Sequence, residues 1–165
     1  MTNKIYIGIG SNIDRHKNIQ SCISKLALKY KNLTLSPTYE TESMGFEGPN
    51  FYNLVCCFET QHDVFQLQEE IKKIEKDHGR NFHETKFSSR TLDIDILYFN
   101  DSIIIDEKIK IPRKEILEYD FVLKPLIDIA PEFVHPELNI TNLQIFKEYT
   151  IKKLIITKIE LDIKI

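Results

Sequence analysis

Between Leu92 and Ile96 apolar and acidic residues alternate one for one: Leu92, Asp93, Ile94, Asp95, Ile96. A period of two belongs to an extended strand, whose successive side chains point to opposite faces. Leu92, Ile94 and Ile96 therefore turn toward a core, and Asp93 and Asp95 turn away from it side by side. A strand built this way must sit in a sheet with one face covered and the other left for water or a site.

The rest of the chain supplies that sheet. Lys4–Ile9 alternates Ile5, Ile7 and Ile9 and reads as a strand, followed by turn chemistry at Gly10-Ser11-Asn12 that can cap a helix. Ile19, Cys22, Ile23, Leu26 and Tyr30 recur at helical spacing. Leu33–Tyr39 and Phe51–Glu59 read as two further strands. Asp63 with Gln66 three residues on has capping-box spacing, the stripe Val64, Leu67, Ile71, Ile74 follows, and Gly79 is a natural stop. Leu92–Phe99 is the fourth strand. The order strand, helix, strand, strand, helix, strand predicts an α+β fold: a ferredoxin-like βαββαβ antiparallel sheet with helices on one face. Ile103–Ile105 and Lys108–Ile111 predict an added hairpin, and Phe121–Ala130, closed by Pro131, a C-terminal helix. With no repeat or low-complexity linker, residues 1–165 read as one domain.

Several classes are disfavoured. An apolar fraction of 42% and a charged fraction of 28% fit a globular chain that can bury a core, and with a net charge of −3 nothing argues for a general nucleic-acid surface, though local basic patches stay open. Cys22, Cys56 and Cys57 lack disulfide spacing and read as buried thiols. The start, MTNKIYIGIG, is too poor in apolar residues for a signal peptide, and no run approaches a membrane span, so a cytoplasmic protein is expected. GIGSN is not G-x-G-x-x-G, no P-loop or H-R-D and D-F-G pair exists, and the five histidines have no metal-ligand spacing.

Paired carboxylates repel unless a cation lies between them, and oxygen-only donors suit Mg²⁺, which takes one or two carboxylates plus phosphate oxygens. Arg90, three residues before Asp93, can reach an anionic ligand. The plainer reading is a solvated strand face with two chance aspartates. Phe51 and Asn53 share a strand face, as a flat heterocycle with polar edges would require, or are a core ring and a turn amide. Glu75, one residue off its helix's apolar stripe, faces either the site or water. The connections Thr41–Asn50 and Arg80–Ser89 are long enough to be lids, or tolerated insertions.

Taken together, YIGIGSNI at Tyr6–Ile13, the YET…G…PNFYN run at Tyr39–Asn53, KIEKDHGR, SRTLDIDIL and FVLKPLIDIAPEFVHP resemble 6-hydroxymethyl-7,8-dihydropterin pyrophosphokinases from the first strand to about Pro136. R-T-L-D-I-D-I is the most specific of these. The resemblance implies transfer of diphosphate from ATP to a reduced hydroxymethylpterin, with AMP leaving, in folate synthesis. It implies that Asp93 and Asp95 bind two Mg²⁺ ions on the ATP phosphates. Asn53 would hydrogen-bond the pterin, Phe51 and Phe121 would stack on its faces, and Thr41, Ser43 and Met44 would line its pocket. Arg90 and Lys108 would contact phosphates, and Ile96, Ile109 and Lys110 the nucleotide. Expected partners are these small molecules alone, without nucleic acid or membrane, on a monomer.

The chain departs from that pattern in places. Phe82 and Phe87 replace a basic residue and a tryptophan, Tyr119 replaces an arginine, and Pro112-Arg113 replaces Pro-His. Charge lost at Phe82 and Tyr119 is regained at Arg113 and Lys114, so Arg113 is expected on the nucleotide phosphates, steadied by Asp120. From Leu143 the tail diverges, and Ile159, Leu161, Ile163 and Ile165 alternate like a strand. Three other readings remain: a non-catalytic pterin or nucleotide binder, a pyrophosphokinase for a related acceptor, and a ferredoxin-like interaction module.

Overall fold

The computed structural model describes residues 1–80 and 89–165; the exchanges at Phe82 and Phe87, and most of the connection Arg80–Ser89, lie outside the described residues. The elements are β1 (Asn3–Ser11), α1 (Arg15–Lys29), β2 (Lys31–Leu35), β3 (Thr38–Thr41), β4 (Phe51–Thr60), α2 (Val64–Asp77), β5 (Asp93–Phe99), β6 (Ile104–Ile105), β7 (Lys110–Ile111), α3 (Asp120–Ile129), α4 (Asn142–Glu148) and β8 (Ile155–Ile159). The architecture is α+β. An antiparallel sheet runs β5-β1-β4-β3-β8, with β2 also paired to β4, and β6 and β7 form the separate hairpin.

One face of the sheet is sealed as its alternation demands. Ile5, Ile7, Ile9, Leu54, Cys56, Phe58, Leu92, Ile94 and Ile96 are buried there against the stripes of α1 and α2. Asp63 caps α2 as its spacing foretells: its carboxylate accepts from the Gln66 amide at 2.8 Å, and Gln66 Oε1 accepts from the Asp63 amide at 2.9 Å. Gly79 ends that helix at φ +85°, a conformation L side chains rarely adopt.

The opposite face is not left open as expected. Tyr6, Val55, Cys57, Leu97 and Tyr98 form a second core with α3 and α4 over half of it. A bulge between the Tyr6 and Ile7 pairings of β1 with β5 turns both Leu97 and Tyr98 to this side. The Tyr98 hydroxyl donates to Asn142 Oδ1 at 2.7 Å, and Asn142 Nδ2 donates to the Ala130 carbonyl at 2.9 Å, fastening α4 to β5 and α3. α4 was legible and missed: Thr141 and Gln144 form a capping box.

Three further expectations are corrected. The strand Leu33–Tyr39 is two strands, because Pro37 has no N–H to donate; Ser36 bridges the break, its amide donating to Val55 O at 2.9 Å and its hydroxyl accepting from Val55 N at 2.8 Å. Ser11 and Asn12 cap no helix: β1 runs through Ser11, and α1 starts after Asp14, whose φ is 44°. The tail's strand lies earlier than its alternation suggests. β8 pairs with β3, which spans only Thr38–Thr41, and beyond Ile159 the chain leaves the edge to pack Ile163 on the first core. There Lys164 exchanges two hydrogen bonds with Gln20 of α1, at 2.7 and 2.8 Å.

Candidate active site

The uncovered half of the second face is a cleft, and β1 explains it. Opposite Ile5, Ile7 and Ile9 that strand carries Tyr6, Gly8 and Gly10. Tyr6 fills the covered half; the glycines leave the floor bare. In register, Gly8 lies between Asp95 on β5 and Val55 on β4, and Gly10 between Asp93 and Asn53. The carboxylates and the Asn53 amide therefore face each other across bare backbone. A Cβ at Gly10 would come within 2.5 Å of Asn53 Oδ1, so only glycine lets that amide lie where it does. Asn53 Nδ2 donates to Thr41 Oγ1 at 2.7 Å, which sets the amide's orientation.

Three compartments run along the cleft. At one end Thr41, Met44, Phe46, Phe51, Asn53 and Phe121 line a narrow lobe. The central chamber, about 270 Å³, is lined by Asp93 and Asp95 with Arg80, Arg90 and Arg113 around them. At the far end Lys108, Lys110, Arg113 and Lys114 line a groove beside the hairpin. Arg113 and Glu115 belong to both the chamber and the groove.

The chamber's charges are tightly arranged. Arg80 reaches Asp93 at 2.8 Å and Glu75 at 3.1 Å. Arg113 lies 3.4 Å from Asp95 and 3.1 Å from Glu115, and its amide donates to Leu97 O, the carbonyl of the bulge. Desolvation on the cleft floor and the neighbouring Asp93 push Asp95 up to about 7. Burial, then Asp93, push Glu75 up to about 8, against the pull of the Ile94 amide and Arg80. Burial opposes the charge on Arg113, but Asp95 and Glu115 hold it above the ordinary arginine value. Among the described residues no three metal-ligating side chains converge. Two half-buried carboxylates on one face suit an ion that draws its other ligands from phosphate and water.

The sequence-expected residues divide accordingly. Asp93, Asp95, Arg90, Thr41, Met44, Phe51, Asn53 and Phe121 line the lobe or the chamber, and Lys108, Lys110 and Arg113 the groove. The Ser43 hydroxyl instead donates to Phe46 O at 3.0 Å within its own loop. Ile96 and Ile109 are buried in the first core, on the other side of the sheet from the aspartates. Asp120 does not steady Arg113; its carboxylate accepts from the Leu154 and Ile155 amides.

Sequence reasoning missed Gly8, Gly10, Asn12, Arg80 and Glu115, and left Glu75 undecided. Glu75 is only 5% exposed and its carboxylate accepts from Ile94 N at 3.1 Å, between the two aspartates. Asn12 ties the long connections together: its Oδ1 accepts from Arg90 N at 2.7 Å, and its Nδ2 donates to Pro49 O at 3.1 Å and Ser89 Oγ at 3.2 Å. The signal for the glycines was present, since Ile-Gly-Ile-Gly alternates as regularly as Asp-Ile-Asp-Ile.

Comparison with known proteins supplies family context. A family model described as 7,8-dihydro-6-hydroxymethylpterin-pyrophosphokinase matches residues 6–131. A folic acid synthesis protein of Dictyostelium discoideum is 38% identical over 141 residues, covering 84% of this chain and 21% of that protein. The chain thus spans about a fifth of the length of that relative, and likewise of the Pneumocystis carinii protein, of which it covers 20%. A 2-amino-4-hydroxy-6-hydroxymethyldihydropteridine pyrophosphokinase of Aquifex aeolicus is 37% identical over 134 residues, covering 80% of this chain and 83% of that one. The solved HPPK-DHPS of Plasmodium falciparum with pteroate aligns over 90% of this chain and 42% of its own, with a TM-score of 0.71 at 17% identity, a likeness of fold.

Proposed function

This chain belongs to the 7,8-dihydro-6-hydroxymethylpterin-pyrophosphokinase family, and from that premise we propose that it transfers diphosphate from ATP to the hydroxymethyl group of 6-hydroxymethyl-7,8-dihydropterin, releasing AMP, as a step of folate synthesis. The observation that carries the reading is the order of the cleft: an aromatic and amide lobe, two carboxylates, then a basic groove. A flat acceptor at one end and a triphosphate at the other bring hydroxyl and β-phosphorus together over Asp93 and Asp95.

In this reading Phe51 and Phe121 hold the pterin ring and Asn53, oriented by Thr41, pairs with its polar edge. Asp93 and Asp95 would hold Mg²⁺, as two ions, which would supply neutralisation of the phosphate charge. Arg90, Arg113, Lys108 and Lys110 take the phosphate oxygens through charge-assisted bonds. Ile96 and Ile109 have buried side chains, so their backbone groups alone serve the nucleotide. Little covalent chemistry falls to the protein; positioning and charge neutralisation carry the rate. The sheet order β5-β1-β4-β3 we read as ferredoxin-like with β8 added at the edge, in a single domain acting as a cytoplasmic monomer on small molecules. No helix among the described residues is long and apolar enough to cross a membrane.

The test is an assay with ATP, Mg²⁺ and the hydroxymethylpterin that separates AMP from ADP. Stoichiometric AMP and pterin diphosphate are expected. ADP as product overturns diphosphate transfer, and binding of both ligands without AMP assigns the chain as a binder.

A further inference from the structure

The tail lies beyond the residues that the family model matches, which end at 131, yet it holds the two walls of the ring-binding lobe together. One wall is the end of β3 and the loop after it, with Thr41, Glu42 and Met44; the other is the start of α3, with Phe121. The backbone of Leu154 spans both. Its carbonyl accepts from the Glu42 amide at 3.0 Å, and its amide donates to Asp120 Oδ1 at 2.8 Å. Asp120 Oδ2 accepts from the Ile155 amide at 3.2 Å, so this 7%-exposed carboxylate spends both oxygens on the tail.

Neighbouring bonds make the link stiff. The Asp120 amide donates to Lys152 O at 3.0 Å, and the Lys152 amide donates to Glu118 O at 2.9 Å. On the other side β8 pairs with β3 from Thr38↔Ile159 to Thr41↔Ile155. At the far end of α3 a separate anchor exists, where Tyr39 donates to Asp128. The tail is therefore the fastening at the end where the lobe opens. Phe121 follows Asp120 directly, and Thr41, which orients Asn53, precedes Glu42 directly.

We propose that the segment Lys152–Ile155, gripped by Asp120, is a strap that sets the gap between Phe121 and the Thr41–Asn53 wall and so fixes the fit of the flat acceptor. Asp120 is a positioning residue in this scheme: it touches no substrate and acts through the tail. A buried carboxylate bonded to two backbone amides has one geometry, and a stacked ring is sensitive to sub-ångström changes in spacing. The nucleotide end of the cleft is built on the hairpin and on Arg113, whereas the described hydrogen bonds of the strap run to Glu42, Glu118 and Asp120, so its effect should fall first on the acceptor.

The inference rests on the proposed acceptor, and the experiment separates the two. Binding of the hydroxymethylpterin and of an ATP analogue with Mg²⁺ is measured by calorimetry on the full chain, together with steady-state KM values and thermal midpoints. Asp120→Ala should weaken pterin binding about tenfold and leave the nucleotide within about twofold. Asp120→Asn, which keeps the Leu154 contact and loses the Ile155 one, should fall between. Leu154→Pro, which removes the donor and keeps the carbonyl, should repeat the Asp120→Ala pattern from the other side. Gln20→Ala, which frees only the last residues of the tail, should change neither ligand. If Asp120→Ala fails to fold, Asp120→Asn decides by the same ratio. Equal weakening of both ligands, or an unchanged pterin affinity in a folded variant, overturns the strap. A parent chain that binds nucleotide but no hydroxymethylpterin overturns the acceptor assignment instead.

Discussion

On one face of the sheet Ile5, Ile7 and Ile9 of β1 meet the stripes of α1 and α2, and water is excluded along the strand's length. On the other face the same strand presents Tyr6, Gly8 and Gly10, and the covering stops where the side chains stop. Nothing in backbone hydrogen bonding distinguishes the two faces; side-chain volume does. The closed face gains stability from burial, on the order of 25 cal/mol per Å² of apolar surface. The open face gives up that burial and gains a floor on which two carboxylates and an amide can meet a ligand. Stability and chemistry are thereby assigned to alternate residues of the same strands, and substitutions should separate them.

The largest separation is expected at Asp93 and Asp95. Alanine at either should lower kcat by roughly a thousandfold or more, about 4 kcal/mol of transition-state stabilisation, while the thermal midpoint of the metal-free chain stays level or rises. Asp95 also has a pH signature. Its carboxyl is raised to about 7, so the folded state holds a proton that the unfolded chain has released. Stability must then fall as pH climbs from the ordinary aspartate value to about 7, and Asp95→Asn should flatten that slope in a melting series. A slope unchanged by the substitution would mean that Asp95 carries no such strain.

Phe58→Ala inverts the pattern. Phe58 is fully buried and stacked on Tyr30 with ring centroids 4.4 Å apart. Its truncation should cost about 3–5 kcal/mol in denaturant unfolding, with KM for both substrates kept at temperatures where the variant is folded. A change in pterin KM of the size seen at the open face would show that the faces are coupled.

Gly10→Ala sharpens the contrast inside the cleft. The new methyl must displace Asn53 Oδ1, 2.5 Å from its position, so pterin affinity should fall about tenfold, as for an unpaired buried polar contact. Gly8→Ala first meets Leu97, at an ordinary contact distance of 3.7 Å, and should leave stability nearly unchanged. Equal pterin affinity in Gly10→Ala and parent would place the ring away from Asn53.

The smallest expected effect is at Arg113. Paired with Asp95 and Glu115 in the ligand-free chain, it must exchange those partners for phosphate. Arg113→Ala should weaken the nucleotide about threefold to tenfold and lessen its salt dependence, with pterin binding untouched. Titration of nucleotide at two ionic strengths measures both quantities.

Local pattern made much of this readable. Period-two runs announced β1 and β5, the Asp63–Gln66 pair announced α2, and the alternation at Leu92–Ile96 placed Asp93 and Asp95 together on the face away from the helices. Such features depend on neighbours within a few residues, and the sequence states those directly. The strand Leu33–Tyr39 was misread because one proline outweighs a run of β-formers, and Gly10 because a glycine near a strand's end looks like a turn until the strand's length is known.

What the amino-acid order determined by itself is therefore the run of elements from β1 to α3, apart from the break at Pro37, together with the covered face and the acidic pair. Only the tertiary structure decided that Gly8 and Gly10 lie between the aspartates and Asn53, that Ile96 and Ile109 belong to the core, and that Asp120 serves the tail and not Arg113. Each is a matter of which distant strands become neighbours and in what register. Asp93, Gly10 and Asn53 are far apart along the chain and adjacent across the sheet. Pairing of that kind is settled by the packing of all strands at once, and no local stretch of sequence encodes it alone.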